Sequence, residues 1–225
     1  MKEKIKIFLP EQKIDARIAE IAKKISEDYA GEEVHLICVL KGSVFFTCEL
    51  AKRITVPVTM DFMSCSSYGN DTKSSGVVRI VKDLDEPLEG KNVLVIEDII
   101  DSGRTLSYLL DILGKRNPKS LRLCTLLDKP DRRVTDVAVD YTCFEIPDEF
   151  VVGYGLDYAQ KYRNLPFIGV VEFVELKACE LTVVFLVKFV YLFGGELAED
   201  GVVHGVLHAT QLRQIVFVYE RLVRG

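Results

Sequence analysis

The sequence predicts an α/β fold: a mainly parallel central sheet flanked by helices. Three observations carry this. Apolar, β-branched runs at 34–40, 92–98 and 120–127 alternate with segments of helical periodicity. These runs are continuously apolar, as in strands covered on both faces. Two of them end in short polar loops containing glycine, at the carboxyl ends of strands where open α/β sheets bind ligands.

The elements follow in order. Residues 11–30 form an amphipathic helix, with Ile14, Ile18, Ile21 and Ile25 on one face and Gly31 suited to its end. A strand at 34–40 leads through Lys41, Gly42 and Ser43 into a helix at 43–53. Strands at 56–63 and 77–82 enclose residues 64–76, a polar stretch too long for a tight turn and without periodicity. Such loops are commonly functional or disordered. The strand at 92–98 runs into Glu97, Asp98 and Asp101 and then a helix at 104–115, with Leu106, Leu109, Leu110 and Leu113 at helical spacing. Strands at 120–127, 137–141 and 167–172 complete the sheet.

Composition sets bounds. The 225 residues suit one α/β domain, 1–172, with an atypical extension at 173–225. A 48% hydrophobic and 28% charged chain is ordinary for a soluble globule. A net charge of -5, without a basic stripe, argues against nucleic acid as the main partner. The six cysteines lack metal-ligand spacing and read as reduced thiols of a cytoplasmic protein. His204 and His208 lie four apart with no third ligand nearby and read as incidental. No secretory signal is visible at the N-terminus. Within the extension, the apolar run 181–193 is shorter than the roughly 20 residues that span a bilayer. The extension reads as a packed appendage or as a product of frameshift, in preference to a membrane-surface segment, so no membrane partner is expected.

The richest segment is Val93-Leu94-Val95-Ile96-Glu97-Asp98-Ile99-Ile100-Asp101-Ser102-Gly103-Arg104-Thr105. Ser102, Gly103 and Thr105 can present amides and hydroxyls at a helix N-terminus, which suits a phosphate. Glu97 and Asp98 would repel a bare phosphate, but suit sugar hydroxyls or a divalent cation beside one. Asp101 can accept a proton or orient a reacting base. An acidic first turn on an ordinary βα unit is the plainer alternative.

This segment closely resembles the phosphoribosyl-pyrophosphate signature of type I phosphoribosyltransferases. Leu40-Lys41-Gly42-Ser43 is similar to the pyrophosphate loop of the hypoxanthine(-guanine) branch. Leu127-Asp128-Lys129-Pro130 resembles its purine-contacting lysine segment, and residues 144–158, from Phe144 to Tyr158, its purine-binding stretch. The likeness runs over about residues 5–172 and implies that family's fold, with a small hood and a mobile lid bearing Ser67 and Tyr68.

The resemblance also implies roles. Asp101, Ser102, Gly103, Arg104 and Thr105 would hold the 5′-phosphate, and Glu97 and Asp98 the ribose hydroxyls, directly or through Mg2+. Lys41 and Gly42 would bind pyrophosphate, with a cis peptide before Lys41, and Arg163 would pair with pyrophosphate. Lys129 would donate to the purine O6. Phe150 would stack on the ring, with a core position as its rival, and Val151 would offer backbone groups to the base edge. Asp157 would sit on the purine side and position a second magnesium. Asp101 would be the catalytic acceptor at N7. The implied reaction is transfer of phosphoribosyl from phosphoribosyl pyrophosphate to N9 of a 6-oxopurine, in a homodimer or homotetramer. A lysine at 129 is a donor only and suits a carbonyl. The rivals are a xanthine-guanine or orotate-type transferase and a non-catalytic nucleotide-sensing regulator of the same fold.

Overall fold

A computed structural model describes residues 2–67 and 78–174. Tyr68 of the expected lid and residues 175–225 of the extension, His204 and His208 included, lie outside the described residues. Glu3–Phe173 forms one compact unit.

The elements are β1 (Lys2–Leu9), α1 (Glu11–Asp28), β2 (Val34–Leu40), α2 (Val44–Ala51), β3 (Val58–Ser67), β4 (Val78–Lys82), β5 (Asn92–Ile100), α3 (Arg104–Gly114), β6 (Ser120–Asp128), β7 (Tyr141–Glu145), β8 (Val151–Val152) and β9 (Ile168–Val174). The main sheet has the order β4-β3-β2-β5-β6-β7. All its pairs are parallel except β3–β4. A second, small sheet has the order β1-β9-β8.

The central strands are apolar on both faces because helices cover both. Leu36, Leu94 and Ile96 pack with Ile14, Ile18, Ile25, Phe46 and Leu50 of α1 and α2. Ile37, Val93 and Val95 point the other way, onto Leu106, Leu109 and Leu113 of α3. Chain order reverses at the middle of the sheet. From β2 the chain passes through α2 to β3 on one side, and from β5 through α3 to β6 on the other. The carboxyl ends of β2 and β5 are therefore neighbours whose outgoing loops diverge, which leaves a crevice between them.

Three elements depart from expectation. β1 carries Ile5 and Ile7 among lysines and a glutamate, and its strand character comes from pairing with β9 rather than from its own pattern. The two-residue β8 is too short to leave a pattern. The strand expected at 137–141 begins only at Tyr141. Val137 and Val139 are apolar because they pack against the α3 side of the core, not because they pair in a ladder. The Asp140 side chain accepts from the Leu123 amide at 2.9 Å while its own amide donates to the Leu123 carbonyl at 3.0 Å, and pairing of β6 with β7 starts one residue later.

Candidate active site

The crevice is built from the ends of β2 and β5. The Leu40–Lys41 peptide is cis, as the sequence resemblance implied. Gly42 follows, buried against Asp98. A methyl group in its place would lie 1.5 Å from Asp98 Oδ2. On its other side stands Gly155, where an added Cβ would lie 1.8 Å from the Gly42 carbonyl oxygen. Gly155 also has φ +104°, a conformation that side chains disfavour. Glycine at both positions lets three chain segments meet at the ends of the strands.

Glu97 and Asp98 end the apolar stretch of β5. Burial, the neighbouring Asp98 carboxylate and a hydrogen bond to it together push the Glu97 carboxyl well above the usual range. Burial also raises Asp98, although Glu97, the Ile99 amide at 2.9 Å and the Arg163 charge oppose the rise. Two negative charges side by side are therefore disfavoured at this pair unless a cation or a donor faces them. Glu97 Oε2 is closed off from solvent and has no hydrogen-bond partner among the described residues. A buried carboxylate oxygen left without a donor suits a sugar hydroxyl or a hard cation.

Beyond Asp98 the loop turns into α3. Gly103 has φ +78° and is the N-cap of the helix, so the capping position itself carries no side chain. An added Cβ there would meet the Thr135 carbonyl at 2.5 Å, so glycine is required twice over. The Ser102 carbonyl accepts from the amides of Val134 and Thr135, both at 3.0 Å, which pins the loop to the segment after β6. The first-turn amides of α3 and the surrounding hydroxyls offer an anion site.

A second group of residues is assembled at the ends of β5, β6 and β7. The Lys129 amide donates to the Ile100 carbonyl at 2.9 Å, which sets Lys129 beside the Asp101 loop. Lys129 is buried, and its Nζ lies 3.5 Å from Asp148. Asp101 is half-exposed and paired with Arg132, whose Nε donates to Oδ1 at 2.9 Å. Phe150 is 52% exposed and meets Tyr158 edge-on at 5.7 Å, which rules out the core position that rivalled a stacking one. Val151 is buried in β8. Asp157 accepts from Arg163 at 2.6 Å and from the Gln160 amide at 2.8 Å, while Arg163 also donates to the Gly155 carbonyl at 2.7 Å. Tyr154, Ala159, Gln160 and Tyr162 all adopt positive φ, an unusual concentration for residues other than glycine. Ser67 ends β3.

The structure thus gathers Lys41, Gly42, Glu97, Asp98, Asp157 and Arg163 around one crevice end and links Asp101 to Lys129 through Arg132 and Asp148, while Phe150 stands two residues beyond Asp148. Sequence reasoning did not single out Arg132, Asp148 or Gly155. Asp148 and Gly155 lie inside a stretch already read as purine-binding, but their partners are distant in sequence. Arg132 looks like one of several surface charges in 128–133. Cys124 and Cys143 are buried thiols, and burial pushes Cys143 up to about 12, which fits inert core groups. All five cysteines among the described residues are free.

Comparison with known proteins agrees with this geometry. A model of the phosphoribosyl transferase domain matches residues 5–159. The hypoxanthine phosphoribosyltransferase of Salmonella typhimurium is 52% identical over 177 residues, which are 78% of this chain and 99% of that protein. The hypoxanthine-guanine phosphoribosyltransferase of Streptococcus thermophilus is 50% identical over 167 residues, 74% of this chain and 93% of its own. The crystal structure of a hypoxanthine-guanine phosphoribosyltransferase from Bacillus anthracis superposes with a TM-score of 0.73 at 50% identity, covering 75% of this chain and 100% of that one. With the crevice, the acidic loop and these relatives in agreement, the chain belongs to the phosphoribosyl transferase domain family and, within it, to the hypoxanthine(-guanine) phosphoribosyltransferases.

Proposed function

We propose that this protein salvages purines by transferring phosphoribosyl from phosphoribosyl pyrophosphate to N9 of hypoxanthine, and of guanine as a second substrate, releasing pyrophosphate. The observation that carries this reading is the half-buried Glu97–Asp98 pair, with Glu97 Oε2 closed off from solvent, beside the N-terminus of α3, and a buried lysine, Lys129, on the base side. Ribose hydroxyls, phosphate and a 6-oxo group each find their complement there.

In the reaction the C1′–oxygen bond to pyrophosphate breaks as the N9 lone pair closes on C1′. Positive charge builds on the sugar and negative charge on the leaving group. The protein contributes chiefly fixed charges and dipoles placed for that separation. The α3 N-terminus and residues 101–105 hold the 5′-phosphate. Lys41 and Gly42 offer backbone amides to pyrophosphate, and Arg163, anchored by Gly155 and Asp157, faces it. Asp101 accepts the proton or hydrogen bond at N7, which leaves N9 more electron-rich. Lys129 donates to O6, Phe150 stacks on the ring, and Val151 supplies backbone groups to the base edge.

Magnesium fits this donor set. Among the described residues no group of three potential ligands stands ready to bind a metal alone. Mg2+ is commonly bound by one or two carboxylates together with substrate phosphates. Glu97 and Asp98 would hold one such ion and Asp157 would position a second, and the ions would supply positive charge against that building on the leaving group.

Among the described residues no helix is long and apolar enough to cross a membrane. We take residues 1–172 as the catalytic portion, a cytoplasmic enzyme working as a homodimer or homotetramer. No nucleic-acid partner and no membrane are assigned. The regulator reading finds no support among the matched relatives, which are named as transferases. Incubation with phosphoribosyl pyrophosphate, Mg2+ and hypoxanthine tests the proposal. IMP and pyrophosphate should appear in equal amounts. Tight binding of the sugar donor with no nucleotide formed from hypoxanthine or guanine would refute it.

A further inference from the structure

The two groups assigned to the purine's 6-oxo edge, Asp101 and Lys129, are joined by residues to which the reaction itself gives no role. The Arg132 guanidinium lies side-on to Asp101, with Nε 2.9 Å from Oδ1 and Nη2 3.4 Å from Oδ2. Its remaining Nη1 donates to Asp148 Oδ2 at 3.2 Å. The other oxygen of Asp148 is 3.5 Å from Lys129 Nζ. Charges therefore alternate along a continuous row: Asp101, Arg132, Asp148, Lys129.

Each member is placed by backbone. Arg132 ends a short 3-10 turn opened by Pro130, and its amide donates to the Lys129 carbonyl at 3.1 Å. Asp148 follows β7, whose end is tied to β6 by the Ile146 amide on the Asp128 carbonyl at 2.8 Å. Arg132 and Asp148 are about half-exposed, 52% and 50% at the side chain. Ion pairs in such a setting contribute only about 0–1 kcal/mol to folding. Stability is therefore a poor account of this row, whereas geometry is a good one. A planar guanidinium can brace two carboxylates at once at a fixed separation, which a lysine ammonium cannot do.

We propose that Arg132 and Asp148 form a positioning bridge that sets the spacing between the acceptor Asp101 and the donor Lys129. The bridge matches them to a base that presents a donor at N7 beside an acceptor at O6. This rests on the function proposed above. Arg132 touches Asp101 through two donors and leaves lone pairs on both oxygens for the base. A carboxylate offers about four acceptor sites. Misplacement of a reacting group by about 1 Å can cost about 100-fold in rate, so a bridge worth little to folding can be worth much to transfer.

The test compares wild type with Arg132→Ala, Arg132→Lys, Asp148→Asn and the Arg132→Ala/Asp148→Asn double variant. The readouts are kcat and KM for hypoxanthine, calorimetric affinity for phosphoribosyl pyrophosphate, and melting temperature. Each single variant should lose about ten-fold or more in kcat/KM for hypoxanthine, with donor affinity and melting temperature unchanged. Arg132→Lys should fail to restore the loss, and the double variant should be no worse than the singles, because one bridge is broken once. An Arg132→Ala enzyme within about two-fold of wild type would overturn the bridge, as would fully additive losses. Parallel loss of donor affinity and melting temperature would reveal a structural role and overturn it too. A wild type that makes no IMP would instead sink the underlying functional reading.

Discussion

Gly42→Ala isolates the closest approach in the crevice. The added Cβ would lie 1.5 Å from Asp98 Oδ2 and 2.5 Å from Cγ, far inside contact distance. Asp98 cannot simply swing away, because its Oδ1 accepts from the Ile99 amide at 2.9 Å. The Gly42 backbone cannot simply retreat, because Gly155 already packs on its carbonyl oxygen. Overpacking of this kind costs about 1–3 kcal/mol. At about 2–4 °C per kcal/mol for a chain of this size, the melting temperature should fall by about 2–12 °C. Affinity for phosphoribosyl pyrophosphate should fall with it, since the proposed function assigns both the displaced carboxylate and the Lys41–Gly42 amides to the donor. Asp98→Ala removes the colliding atoms and leaves only Cβ, 3.3 Å away. The double variant should therefore recover stability relative to Gly42→Ala, with a coupling above about 0.5 kcal/mol in a thermal-unfolding cycle. A Gly42→Ala protein with unchanged melting temperature and unchanged donor affinity would refute the close-approach argument.

Four further outcomes are expected. Asp101→Asn should bind phosphoribosyl pyrophosphate almost normally by calorimetry and turn over about 10²–10⁴-fold more slowly; an unchanged rate would remove Asp101 from the mechanism. Lys129→Ala loses a charged hydrogen bond worth about 1.5–3 kcal/mol, so the KM for hypoxanthine should rise by about ten- to a hundred-fold while that for the sugar donor barely moves. Equal shifts in steady-state assays would contradict the purine assignment. Glu97 is raised chiefly by burial, so the folded chain keeps a proton that the unfolded chain releases as pH climbs past the ordinary carboxylate value, and stability falls over that range. Glu97→Gln should therefore raise the urea midpoint at pH 8 and change it little near pH 4, and a lower midpoint at pH 8 would reverse the sign of this argument. Truncation after Val174, the end of β9, should preserve IMP formation in the soluble fraction; an insoluble or inactive product would show that the extension completes the fold.

Legibility followed the range of the interactions. The acidic loop was readable because its chemistry is consecutive: apolar strand, Glu97, Asp98, Asp101, then the glycine turn and helix. β2, β5 and β6 were readable because burial on both faces leaves unbroken apolar runs. β1 was missed because lysines and a glutamate interrupt Ile5 and Ile7, and its partner β9 lies far along the chain. The start of β7 was misplaced because Val137 is buried and Val139 partly buried without belonging to the sheet. Within the site, the resemblance marks Gly42 as a pyrophosphate contact, but the close approach of Asp98 to it shows only in the structure. The partnership of Arg132 with Asp101 and Asp148 crosses 31 and 16 residues, a separation at which no local pattern is left in the sequence.

The central claim is that a buried donor, Lys129, and an acceptor, Asp101, select a 6-oxopurine for transfer. Competition tests it most directly. Hypoxanthine, guanine, xanthine and adenine at equal concentration would share one vessel with phosphoribosyl pyrophosphate and Mg2+, and the nucleotides would be identified by mass. The account predicts IMP, with GMP beside it, and no AMP. AMP as the main product, or a mixture indifferent to the group at C6, would contradict it.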